Sequence, residues 1–388
     1  MPGAKLNFDE MKIAVDTRVL KSSANEKPFS FAVTIFAKLI SAHPEHEFIL
    51  INDSIENAAS FRVNKNTDTI RLKPLTQNPV QLRLHYDLRM PSLLKKIKAD
   101  FFISFTGICP RSVKIPQCLV LHDISLLSCP ASMTKAKVFF LRSQMERWLK
   151  RTTGVVALSE KIIKHVADNY SADKTNFHIV REFAEDISLP DQPETNDIKS
   201  RITSGKNFFY CPHAFNAGKE LLLLLKAFSV FKKRQKSDWK LVLQGRHNVS
   251  FLKQFATYKY REEVILLTPD EVREELLTAA SYAVIFLPEC SGRTANVLTA
   301  FKCRVPAIVN NGSAFSEIAG NAAIYYEPGD HADLADKMML VYKDESLRER
   351  LNTESGLLSS QFTQERSSEE LWKALMKTVD HNAVNPPV

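Results

Sequence analysis

The sequence predicts an α/β chain built as two doubly wound parallel-sheet domains, and three observations predict it. The first is the stretch from Ala283 to Asp330, where three short apolar runs, AVIFL, PAIV and AAIYY, alternate with helix-like segments. The runs have the length and β-branched content of buried strands. Strand, helix, strand, helix, strand is the order of a parallel βαβαβ unit. The second observation is that the chain opens the same way, with KIAVD (12–16), FSFAVTIFAKLISA (29–42) and HEFILIN (46–52). The third is length, since 388 residues suggest two domains. Prolines, acids and small polar residues with little periodicity mark 191–206 as a linker. The expected division is a first domain 1–190, a second domain 207–360, a terminal helix 361–380 and a frayed tail 381–388.

The first half supplies strands in sequence. Asp16, Thr17 and Arg18 stand at the carboxyl end of the first, where ligands are usually met in such sheets. Residues 82–98 carry Arg83, Arg89, Lys95, Lys96 and Lys98 on a helical pattern. DFFISF (100–105) and QCLVLHD (117–123) are strands, the second ending in His122 and Asp123. TKAKVFFLRSQMERWLKR (134–151) is a basic amphipathic helix that suits either its own domain or an anionic bilayer. GVVALSEKIIKHVADNY (154–170) reads as strand, Ser159 cap and helix, and NFHIV (176–180) as the last strand.

The second half opens with NFFYC, the loop PHAFNAGK and the buried helix ELLLLLKAFSVFKK. WKLVLQGR (239–246) is a strand and a turn at Gly245. EEVILLTPDEVREELLTAASYAVIFLPE then runs strand, helix, strand. After AVIFL comes a polar turn with Gly292, and then a helix from about Thr294 to Cys303 for which Ser291 is the expected cap. Asn310 to Ser313 lead to a short helix around Ser316–Ala319. Helix N-termini at the carboxyl ends of such strands make a ready anion site, and a nucleotide diphosphate suits it.

The run SEIAGNAAIYYEPGD followed by HADLADKMMLVYKDESLRERL closely resembles the donor-binding core of a large retaining glycosyltransferase family, family 4, also called glycosyl transferases group 1. The resemblance extends over nearly the whole chain. It implies the GT-B fold, two Rossmann-like domains facing a central cleft, with the acceptor on the first and a nucleotide-sugar on the second. It implies that His122 and Asp123 face the donor sugar, and that Lys219 and His213 hold the donor diphosphate. Lys219 also opposes the helix dipole at its position, a penalty that an anionic ligand removes. The family's two glutamates, eight residues apart, align with Ser291 and Thr299; Arg293 and Thr294 replace its Phe-Gly beside Gly292, and Glu289 lies two residues early. Charge-assisted hydrogen bonds exceed neutral ones by about 1–2 kcal/mol, so Thr in place of Glu at the ribose costs about one to two powers of ten in affinity. Two further departures are Thr268, where the family tends to glycine, and a first loop, LKSSANEKP, without one.

The expected function is retaining sugar transfer to a glycan or lipid-linked acceptor in envelope or exopolysaccharide synthesis, with no metal and no cofactor beyond the nucleotide-sugar substrate. The alternative is a catalytically impaired relative that binds or scaffolds. Of 52 Lys+Arg and 44 Asp+Glu, residues 1–190 hold 27 and 19, a net of +8, and residues 191–388 hold 25 of each. The basic excess confined to the first half favours an anionic partner, such as a membrane surface met through 134–151. Nucleic acid is not expected, because no recognised motif for it occurs. No apolar run is long enough to span a bilayer and the N-terminus lacks an apolar signal core, so a cytoplasmic protein is expected. The six cysteines form no CxxC pair, and free thiols rather than zinc ligands are expected.

Overall fold

The computed structural model describes residues 10–18, 28–52, 65–72, 78–122, 124, 135–170, 176–184, 188–247, 249–288 and 294–384. The chain forms two compact units, Met1–Glu182 with Gln364–Val388, and Phe183–Thr363. Each holds one fully parallel sheet. Among the described residues no helix is long and apolar enough to cross a membrane.

The first unit begins with β1 (Lys12–Asp16), α1 (Pro28–Ala42), β2 (Glu47–Asn52) and β3 (Thr67–Arg71). A continuous helical run follows: α2 (Pro79–Leu84), a π turn (His85–Arg89) and α3 (Met90–Ile97). Asn78 starts it, its side chain accepting from the Val80 and Gln81 amides. Then come β4 (Phe101–Ser104), β5 (Gln117–Leu121), α4 (Lys135–Arg151), β6 (Gly154–Ala157), α5 (Glu160–Asn169) and β7 (Phe177–Ile179). The sheet order is β3-β2-β1-β4-β5-β6-β7. β4, β5 and β6 are buried at every residue, which is why they read as unbroken apolar runs. β3, TDTIR, was not anticipated: it is an edge strand whose polar, mostly exposed residues carry no apolar pattern. The Ser159 cap forms as expected, accepting from the Ile162 amide at 3.4 Å.

The second unit corrects the linker. Residues 191–206 contain α6 (Gln192–Thr203), closed by a capping box in which Glu194 N–H donates to Asp191 Oδ1 at 2.8 Å and Asp191 N–H to Glu194 Oε2 at 3.1 Å. Ile198 anchors this helix in the core on one face of the sheet. One fully buried apolar anchor gave too weak a period to read, although the cap itself was in plain view. After α6 come β8 (Phe208–Cys211), α7 (Lys219–Gln235), β9 (Lys240–Gln244), α8 (Val249–Phe255), β10 (Val264–Leu267), α9 (Glu274–Ala280) and β11 (Ala283–Phe286). The unit closes with α10 (Ala295–Lys302), β12 (Ala307–Asn310), α11 (Ser316–Ala319), β13 (Ala323–Tyr326), α12 (His331–Lys343) and α13 (Glu345–Ser359). The sheet order is β10-β9-β8-β11-β12-β13. α7 buries Leu221, Leu224, Leu225, Phe228 and Phe231, a helical spacing that packs on the sheet face opposite α6.

The last helix, α14 (Gln364–Val384), belongs to the first unit and packs on α1 and β6. Its approach to β6 is close: a Cβ added to Gly154 would lie 2.1 Å from Thr378 Oγ1 and 2.8 Å from its Cγ2.

Candidate functional site

In a doubly wound sheet the ligand crevice lies off the carboxyl ends of the strands, where the strand order reverses. In the second unit that point falls between β8 and β11: from β8 the chain proceeds outward to β9, and from β11 to β12 on the other side. The loop leaving β8 is 212–218 and the loop leaving β11 is 287–294. His213 lies in the first loop and Lys219 directly after it, and the second loop leads into the helix that carries Thr299.

The β8 loop is a strained turn. His213 is left-handed at φ 49, and Gly218, also positive at φ 56, is the N-cap of α7 with no side-chain cap bond. A non-glycine residue in that region stores strain of order 1–2 kcal/mol, and such residues cluster at functional sites. Lys219 is the first residue of α7 and is exposed. The helix thus directs its first-turn amides off the strand end with a lysine at the same end, an arrangement suited to phosphate. His213 Nε2 lies 3.3 Å from Glu274 Oε2, on the first residue of α9, an ion pair when the imidazole is protonated. Glu274 was missed by sequence reading, because it is one acid in an acidic helix start and its partner is remote in the chain.

Gly245 supports this loop from β9. Its φ is 145, and a Cβ there would sit 2.8 Å from the ring of Phe215. Phe215 also packs on Phe251 at 5.0 Å between ring centroids. At the end of β10, Thr268 accepts no glycine conformation: its φ is not positive, and its hydroxyl donates to Glu271 at 2.8 Å. Replacing the family's glycine there needs no strain.

On the β11 side, α10 starts at Ala295 with Thr294 in the N-cap position. Thr294 is buried, and Thr299 is half-buried in the second turn. Glu289, Ser291, Gly292 and Arg293 lie outside the described residues, as does Asp123 in the first unit. His122 follows β5 and is nearly buried, its ring 6.1 Å from that of Phe105.

The first unit has its own reversal point, between β1 and β4. Asp16, Thr17 and Arg18, expected there as ligand contacts, are buried and bonded inward. Arg18 grips Asp16 with both arms of its fork, Nε to Oδ1 at 2.8 Å and Nη2 to Oδ2 at 2.7 Å. Tyr86 O–H donates to Asp16 Oδ2 at 2.8 Å and meets Thr106 at 2.9 Å. Arg18 Nη2 also donates to His85 Nε2 at 3.0 Å. Burial, then the Arg18 charge, push the His85 imidazole down to about 4, so it stays neutral. His85 and Tyr86 lie on the π turn, a helix irregularity often found at functional sites.

Among the described residues, the group with metal-ligand spacing is His43, Glu45 and His46, whose ligand atoms lie within 4.8 Å. Hydrogen bonding accounts for it. His46 Nδ1 accepts from Met11 N–H at 3.2 Å, and Glu45 sits 3.1 Å from His43 Nδ1. The group precedes β2, at the amino end of the sheet and away from the carboxyl-end loops. Cys109, Cys118, Cys211 and Cys303 are free thiols, and burial pushes Cys109 and Cys303 up to about 12, where thiolate chemistry is suppressed.

Comparison with known proteins fits this geometry. Residues 192–355, which carry the β8 and β11 loops, match the family described as Glycosyl transferases group 1. O-antigen chain mannosyltransferase B of Escherichia coli is 22% identical over 260 residues, a match spanning 63% of this chain and 66% of that protein. A glycosyltransferase from Rickettsia africae superposes with a TM-score of 0.70 at 13% identity, over 96% of this chain and 99% of that one. Anabaena HepE, solved in complex with UDP-glucose, gives 0.67 at 13% identity, over 95% of this chain and 100% of that one. At these identities the structural likeness carries the fold alone: two Rossmann-like parallel-sheet units of the GT-B class. Residues 192–355 are thus similar to the Glycosyl transferases group 1 model, on a chain of GT-B fold.

Proposed function

We propose that the protein moves a sugar from a nucleotide-sugar to a glycan or lipid-linked acceptor in envelope polysaccharide synthesis, with retention at the anomeric carbon and without a catalytic metal. The observation that carries this reading is the start of α7: Gly218 without a side-chain cap, then Lys219, at the reversal point of the sheet and inside the matched domain. First-turn amides and the Lys219 ammonium stabilise the diphosphate as it leaves, which is where negative charge develops. Thr294 and Thr299 serve the nucleotide from α10 with neutral hydroxyls, and His213 supports the diphosphate from the β8 loop. His122 and Asp123 serve the donor sugar from the first unit. The E. coli relative, named for O-antigen chain mannosyl transfer, supports an envelope glycan as product. Residues on α4 give the first unit a cationic surface for an anionic membrane on which a lipid-linked acceptor is carried.

Calorimetry with a panel of UDP-, GDP- and ADP-sugars tests this. One donor class should bind saturably, and Lys219→Ala should weaken it about tenfold or more, the loss of one charge-assisted contact. Turnover of that donor by the unmodified protein, with product configuration read by NMR, separates the enzyme from a non-catalytic relative. Failure of every donor to bind, or indifference to Lys219→Ala, ends the reading.

A further inference from the structure

A pocket of about 470 Å³ opens on the first unit, lined by Asp87, Arg111, Ser112, Arg147, Lys150 and Arg151. Three elements meet there: the π turn, the loop after β4 and the last turns of α4. Of the six described lining residues, four are cations and one is a carboxylate. That carboxylate is already held. Arg111 Nε donates to Asp87 Oδ1 at 3.1 Å and Arg83 Nε to Oδ2 at 3.2 Å, and these contacts, Arg111 first, keep the Asp87 acid below its usual range. Asp87 therefore fixes the Arg111 guanidinium at the pocket wall, bonded through both Nε and Nη2. Lys150 does pair with Glu146 at 2.8 Å, but both are largely exposed and such pairs are weak.

The helix dipole accounts for cations in the last turn of α4. It does not account for Arg111, which comes from a different element and is pinned against the same space. Several guanidinium groups, a lysine and the Ser112 hydroxyl lining one space suit a tetrahedral anion with several acceptor oxygens. The volume lies within the usual range for small-ligand pockets, about 300–1,000 Å³, so the group bearing the anion fits as well.

We propose that this pocket is a phosphate-binding site of the first unit, separate from the donor residues of the second. It takes the phosphate of a soluble phosphorylated compound or of an anionic lipid headgroup. Its readout is binding, so it stands or falls apart from sugar transfer, and it shares with the proposed function only the membrane clause.

The experiment has two arms: calorimetric titration with inorganic phosphate, and sedimentation with vesicles of phosphatidylglycerol and phosphatidylcholine against phosphatidylcholine alone. Each is run on the unmodified protein, on Arg147→Gln/Lys150→Gln, and on Lys95→Gln/Lys96→Gln, which removes equal charge from exposed positions on α3. All four positions are exposed, and unchanged melting confirms folding. Saturable binding in either arm, weakened at least about tenfold by the first pair and less than about twofold by the second, is expected. Response to phosphate alone assigns a soluble ligand and ends the membrane clause; response to vesicles assigns the headgroup. No saturable binding in either arm, or equal loss in both double variants, overturns the site.

Discussion

At the carboxyl end of β1 two opposite charges, Asp16 and Arg18, sit out of water, with side chains 0% exposed. Their attraction and the added bonds from Tyr86 and His85 offset the cost of desolvation, and removal of one partner leaves the other stranded. Asp16→Asn should destabilise the first unit by about 3–5 kcal/mol, measured by denaturant unfolding. His85 adds a pH dependence. Its folded pKa, about 4, is below its unfolded value, so the unfolded chain takes up a proton first as pH falls. Stability is full above about pH 6.5 and is lost on the way down to about 4, with a slope of at most about 1.4 kcal/mol per pH unit from this group. Burial lowers His46, His165 and His178 in the same direction. Melting temperature against pH should therefore fall with acid in the parent, and less steeply in His85→Gln; equal slopes would show that His85 takes no part.

Elements differ in how far their neighbours constrain them. α14 lies against β6 so closely that Gly154 has no room for a side chain, its notional Cβ meeting Thr378 Oγ1 at 2.1 Å. Thr378 itself is buried and donates to the Ala374 carbonyl at 2.9 Å, so it cannot swing aside freely. Gly154→Ala should cost about 1–3 kcal/mol by overpacking. Adding Thr378→Ala, which removes Oγ1 and Cγ2, should restore part of it, and a double-mutant cycle on thermal unfolding measures the coupling. Additive losses would mean that the two residues do not meet. Much at this scale was legible beforehand because its signals are local. Ser159 before its helix, Gly245 after its strand and the Pro-Gly-Asp lead into α12 each declare themselves within a few residues. Asp330 caps α12 by accepting from Ala332 and Asp333 amides at 2.8 and 3.0 Å. What escaped depends on contacts distant in sequence. β3 is a strand because β2 pairs with it, not because TDTIR prefers one. Asp16 meets Tyr86 across 70 positions of chain, and Asp87 meets Arg111 across 24, so neither network has a sequence signature.

For the whole molecule, the two units differ in how the chain builds them. The second is one continuous segment, Phe183–Thr363, with its own six-stranded sheet and a core on both faces. Expressed alone, residues 183–363 should fold cooperatively and, on the proposed function, bind the donor through that unit's contacts, checked by circular dichroism and calorimetry. The first unit is assembled from two segments, and Leu371, Ala374, Leu375 and Val379 of α14 are buried in it. Residues 1–182 alone should be poorly folded, and adding 364–388 as a peptide should recover structure. A fully folded 1–182 fragment would show that α14 is dispensable.

That split has a consequence in time. A ribosome releases the first unit's opening segment well before its closing helix, and at about 5–20 residues per second the gap lasts roughly ten to forty seconds. During that interval the surface that α14 will cover stays bare on a nascent chain, while the middle of the polypeptide can already reach its native form. The second unit should therefore mature before the first is complete, and the waiting segment of the first unit is the part that chaperones would have to shield.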